Sequence, residues 1–175
     1  MRIGKDILKN SESFKNVEKD LAYVASKIIQ DEELLKLLSL QENRTEPLTA
    51  KEKKEIMKKS LRFVPKITNI NETDWSYIAV HFDNFLPNEE NPQYRDKFLV
   101  FDIICNIETW DMDDFKLRPY QIAGRIDTIF DNKSLCGTYS INFLSANTTV
   151  VDDEIAGLML IYKATYSKDS DRYDG

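Results

Sequence analysis

The sequence predicts an α+β fold: a helical N-terminal region, then a four-stranded, mainly antiparallel sheet with one helix packed on it, in the order strand–strand–helix–strand–strand. Three observations predict it. Apolar residues in the first third recur at steps of three and four. Residues 75–108 alternate apolar and polar instead. A single helical pattern near 119–131 then separates that region from two further strand-like runs.

Val17, Leu21, Val24 and Ile28 fall on one helical face, which predicts a helix from Ser13 to Ile29 with Ser13 as its N-cap. Asp31 caps a second helix, Glu32 to Leu40, whose leucines are apolar nearly all round and so need burial on more than one side. Residues 41–48, with Pro47, connect to Thr49-Ala50-Lys51-Glu52, a capping-box pattern. It opens a lysine-rich helix to about Phe63, and Pro65 blocks its extension.

Ile78, Val80 and Phe82 share one side of a strand, and Leu99, Phe101, Ile103, Cys105 and Ile107 share one side of the next. The turn-rich 87–92 segment between them makes a hairpin. Pro119 suits the first turn of a helix reaching Asp131, with Ile122, Ile126, Ile129 and Phe130 as its buried stripe. Strands follow at Thr138–Ser145 and Gly157–Tyr166. The expected organisation is a helical region (1–66), a sheet domain (67–167) and a polar tail (168–175).

The chain has 175 residues, 42% of them hydrophobic and 31% charged, which suits a folded domain with a solvated surface. No run reaches transmembrane length, and the first residues lack a secretory apolar core. Cys105 and Cys136 have a spacing that suits neither a zinc site nor a disulfide scaffold, so both are read as reduced thiols in a cytoplasmic setting. The net charge of −6 argues against a general nucleic-acid binder. Its distribution is uneven: residues 1–66 carry 15 Lys/Arg against 11 Asp/Glu, and the remainder 9 against 19.

Catalytic signatures are sparse. The single histidine, His81, reads as a half-buried sheet residue, and Cys105 as an inert thiol on an inward face. The acidic run with Glu108, Asp111, Asp113 and Asp114 lacks the glycine and glutamate of a calcium loop. Asp83, Asp102 and Glu108 are the candidates for a metal-dependent nuclease, the enzyme alternative. No glycine-rich phosphate loop occurs. The expectation is a non-enzymatic chain with no catalytic residue, metal or cofactor. Tyr94 and Trp110, on expected loops, are candidate aromatic anchors for other subunits.

The runs Leu117–Asp127, Gly137, Phe143–Asn147 and Glu154–Leu158 resemble structural proteins of tailed bacteriophages. The element order is similar to that of tail-terminator and tail-completion proteins, and the N-terminal leucine-rich and lysine-rich helices fit the same likeness. The resemblance implies a homo-oligomeric ring at the phage neck or tail end, hexameric on a tail tube or twelve-fold on a portal. Alternatives within it are a portal-proximal neck ring or a head-completion protein. It implies tail-tube and neck or portal proteins as partners, and a virion location after assembly in the host cytoplasm. No membrane and no sequence-specific nucleic acid are expected. In such a ring Lys51, Lys53, Lys54 and Lys58 would face Asp111, Asp113 and Asp114 of a neighbour. Leu34 and Leu38, on the leucine-rich helix, would supply the apolar contact.

Overall fold

The computed structural model describes the backbone of residues 4–65, 75–90, 94–134 and 138–167, and side chains within 17–65, 75–86, 88–90, 96–134 and 141–165. Helix α1 spans Gly4–Gln30, α2 Glu32–Leu38 and α3 Ala50–Ser60. The first helix begins nine residues before Ser13, which therefore lies inside it and is not its cap. Residues 4–12 repeat no apolar residue at steps of three or four, so they leave no apolar period to read.

The other two caps form as the sequence predicts. The Leu34 N–H donates to the Asp31 carboxylate at 2.8 Å. Thr49 and Glu52 close their box: the Thr49 N–H donates to Glu52 at 2.8 Å, and the Glu52 N–H to the Thr49 hydroxyl at 3.3 Å. Such a pair satisfies two N–H groups that the helix itself leaves open. Helix α3 stops at Ser60, short of Phe63, because Leu61 turns extended and pairs with Ile78.

That pairing adds a strand. The sheet has five strands, not four: β1 (Leu61–Arg62), β2 (Tyr77–Pro87), β3 (Tyr94–Asn106), β4 (Thr138–Val150) and β5 (Ile155–Ser167), in spatial order β1-β2-β3-β5-β4. It is mixed, since β1 runs parallel to β2 while the other neighbours are antiparallel. Two residues cannot display a period, so nothing in the sequence marked β1. Helix α4 (Arg118–Phe130) lies between the two hairpins.

Alternation divides the sheet into faces. On one, Ile78, Val80, Leu99, Phe101, Ile103, Cys105, Leu158, Leu160 and Tyr162 share a single core with Val24, Ile28, the α2 leucines, Ile56, Ile122, Ile126 and Phe130. Helices and sheet therefore bury one another's apolar faces. Phe101 anchors this layer, with its ring edge-on to Tyr162 (5.8 Å) and 5.1 Å from Phe130. Cys105 is fully buried there, and desolvation pushes its thiol up to about 11. On the opposite face Tyr77, Ile104 and Ile155 form a smaller cluster with Trp75. Gly157 lies so near β3 that a Cβ on it would sit 1.7 Å from the Ile103 carbonyl oxygen. Only glycine fits that approach.

Candidate assembly surfaces

The first surface is the acidic loop that joins β3 to α4. Asn106 opens it, its side chain accepting from the Glu108 N–H at 2.9 Å. The Ile107 N–H donates to the Glu154 carbonyl at 2.8 Å, which ties the loop to the β4–β5 turn. Arg118, buried at the start of α4, then fastens the loop to the helical layer. Its Nε donates to the Thr109 carbonyl (2.8 Å), and Nη1 to the Leu37 carbonyl (3.1 Å). Both guanidinium ends reach the Glu42 carboxylate, at 2.9 and 2.6 Å. Burial works against ionisation of Glu42, yet this two-pronged contact holds its carboxyl below the usual range.

The free end of the loop is narrow. The Met112 N–H donates to the Lys116 carbonyl at 2.9 Å, and Asp111 and Leu117 bridge as a one-rung ladder. At the tip Asp114 and Phe115 both take left-handed backbone angles, φ 61° and 59°. Phe115 is fully exposed. Asp111, Asp113 and Asp114 are also exposed, as are Asp152, Asp153 and Glu154 on the adjoining turn. The result is a held acidic end with an aromatic residue at its point.

The sequence singled out the neighbouring aromatics instead. Trp110 is half-buried against the main core, so only part of its ring faces outward. Tyr94 begins β3 opposite Ser167, not on a loop, and its side chain lies outside the described residues. Phe115 escapes a reading by period, because an aromatic residue in a run of charges gives no periodic cue. The Asp113-Asp114-Phe115-Lys116 turn is the signal that could have found it.

The second surface is basic. Lys51, Lys54 and Lys58 project from α3 into solvent. Lys53 does not belong with them, since it pairs with Glu32 of its own chain at 3.1 Å. Leu34 and Leu38 are fully buried inside the subunit, which is the reason α2 is leucine-rich. They are unavailable to a neighbour, contrary to expectation. Among the described residues, Phe63 and Val64, just past β1, are exposed apolar residues at this edge.

The third surface is a groove of about 570 Å³ between α4 and the outer strand β4. Ala123 and Gly124 of α4, Phe143 of β4, and Leu160 and Tyr162 of β5 line it. Tyr120 stands half-exposed at its mouth. Asp127 and Asp131 rim it, and the Tyr162 hydroxyl donates to Asp127 at 2.9 Å. Desolvation first, then Asp127, pushes the Tyr162 phenol far above its ordinary range.

The carboxylates of the nuclease alternative do not gather. Asp83 pairs with Phe98 and Asp102 with Ala79, a separation of about 13 Å along the strands. Glu108 lies beyond the end of β3, exposed on the acidic loop. Asp102 instead faces His81, with 3.8 Å between Oδ2 and Nδ1, too long for a hydrogen bond. Burial raises the Asp102 carboxyl, and His81 only partly opposes it. Among the described residues no three His, Cys, Asp or Glu side chains converge as a metal site. Nor does any described helix have the length and apolarity to cross a membrane. Cys136 lies outside the described residues.

The YomW family model matches residues 31–164 of this chain, from the cap of α2 to nearly the end of β5. Among solved structures, a chain from the virion of a native gene transfer agent (GTA) particle is similar to this one, at 12% identity and a TM-score of 0.45. That similarity covers 62% of this chain and 79% of the other. No curated protein matches the sequence.

Proposed function

The chain belongs to the YomW family, which is phage-derived, and we propose that it is a structural protein of a phage-type virion. More narrowly, it forms a homo-oligomeric ring at the neck or tail end and joins tail to head, in the manner of a tail terminator or completion protein. Its place is the assembled particle, built in the host cytoplasm. Its role is to be bound by neighbours rather than to catalyse.

One observation carries this reading: the Arg118-fastened acidic loop presents a fully exposed Phe115 on a left-handed backbone. A large ring held out in water on an unfavourable backbone gains nothing for the isolated subunit. Aromatic residues on a fixed support are what protein interfaces bury at their centres. We assign this loop, with Asp111, Asp113 and Asp114, to the neighbouring tail-tube or neck protein. Lys51, Lys54 and Lys58, on the opposite side of the charge asymmetry, face the next copy in the ring. A ring needs two different patches on each subunit, and the lysines supply one of them.

The test is the mass of the purified full chain by light scattering, with negative-stain imaging. A closed ring of six or twelve copies is the expected result. A monomer at every concentration and ionic strength tried would overturn the ring. Absence of the chain from purified particles would overturn the virion role.

A further inference from the structure

The groove beside β4 and the apolar residues beyond β1 lie at the two outer edges of one sheet, about 19 Å apart across five strands. Each has exposed apolar residues, and the charged side chains on the elements that carry them differ in sign: acidic at the groove, basic on the helix before β1. At the β4 edge, Ala123, Gly124, Phe143 and Leu160 are flanked by Asp127 and Asp131. At the β1 edge Phe63 and Val64 are half-exposed, and Lys54 and Lys58 are exposed on α3, the helix that leads into β1. Among the described residues the ion pairs of this region use Lys36, Arg44 and Lys53, and not Lys54 or Lys58.

We infer that the groove at the β4 edge of one copy receives Phe63 and Val64 from the β1 edge of the next. This rests on the ring reading and states how the ring closes. Charge selects the occupant. Two β4 edges placed together would oppose Asp127 and Asp131 with their own duplicates, which disfavours a two-fold pairing of this edge. The β1 edge brings lysines to those carboxylates and an aromatic ring to the apolar floor. The contact is heterologous, so each subunit uses both edges at once, as a closed ring demands. The acidic loop with Phe115 stays free for a different protein along the particle axis.

The groove also supplies a clean probe. Gly124 lines it, and a Cβ on that residue would meet nothing within 4 Å. A larger side chain there starts in open space and extends into the groove. Replacing glycine inside a helix also favours folding. The variants are Gly124→Leu and Phe63→Ser in the full chain, with mass measured by light scattering and melting followed by circular dichroism.

The expected outcome is a wild-type ring, a Gly124→Leu chain that melts no lower than wild type, and at least tenfold weaker assembly in both variants. In a Cys136→Ser background, mixing Phe63→Cys chains with Gly124→Cys chains should give a disulfide between the two kinds under mild oxidation. A wild-type ring with both variants assembling normally would overturn the groove contact while leaving the ring reading intact. Gly124→Cys chains cross-linking efficiently to one another would overturn it in favour of two-fold pairing. A wild-type chain that never assembles would overturn both readings together.

Discussion

Lys97 of β3 and Asp20 of α1 face each other inside the protein, with 3.7 Å between ammonium and carboxylate and neither side chain open to solvent. The Lys97 ammonium also lies 5.4 Å from the Phe82 ring centre and 5.6 Å from that of Phe85. Removing one member leaves a buried charge, so Lys97→Met should destabilise the fold by about 3–5 kcal/mol. The double variant Lys97→Met with Asp20→Leu should recover most of that loss. Urea titrations of the two singles and the double decide, and additive losses would mean that the two charges do not act as a pair.

Burial brings Lys97 down from its ordinary 10.5 to about 8, with Asp20 opposing the shift. Below that value both folded and unfolded chains hold the proton, and the fold bears the whole disadvantage of the buried charge. Between about pH 8 and 10.5 the folded chain releases the proton first, so this group makes stability rise with pH. The rise should be missing in Lys97→Met. Matching pH profiles for the two chains from 8 to 10.5 would refute it.

Arg118 serves two distant segments at once, and lysine cannot copy its fork. Arg118→Lys should cost about 2 kcal/mol or more, through loss of charged hydrogen bonds. Amide exchange should quicken at residues 107–117 more than in β5. Uniform quickening across the chain would count against a specific tether.

Phe115→Gly separates folding from assembly. Glycine relieves a left-handed conformation that disfavours other residues by roughly 1–2 kcal/mol, while its greater freedom in the unfolded chain gives part of that back. The melting temperature should hold or rise. Particles made with this variant in place of the wild-type chain should show fewer joined heads and tails by electron microscopy. Normal counts would remove Phe115 from any contact.

Gly157→Ala acts in the opposite way. Its methyl group would meet the Ile103 carbonyl, so β3 and β5 must separate locally at the centre of the sheet. A loss of about 2–4 kcal/mol is expected from such a backbone clash. A change under 0.5 kcal/mol would show that the strands yield freely.

The sequence made legible whatever has a period or a capping chemistry. Asp31, Thr49 and Glu52 cap as read, and the alternation from Leu99 to Cys105 marks the true inward face. Other elements lack either cue: the first turns of α1, the two residues of β1, and the far ends of the long hairpin strands. The surfaces were harder. Leu34 and Leu38 were assigned to a neighbour because a helix apolar all round looks the same whether its own subunit or another covers it. Lys53 looked like its exposed neighbours because Glu32, its partner, is remote in sequence. The groove joins Tyr120, Gly124 and Phe143 only through tertiary packing, and no spacing along the chain encodes that.

Cys105 gives the molecule an internal reporter of its own breathing. Its sulfur lies between β3 and the helical layer, and its raised pKa keeps it a thiol near neutrality. A thiol-labelling reagent therefore reacts only while helices and sheet stand apart. In a Cys136→Ser background, the labelling rate measures how often they part. If the ring clamps the subunit shut, labelling in the assembled state should be slower than in the monomeric Gly124→Leu chain. Particle assembly then becomes measurable as the silence of one sulfur atom.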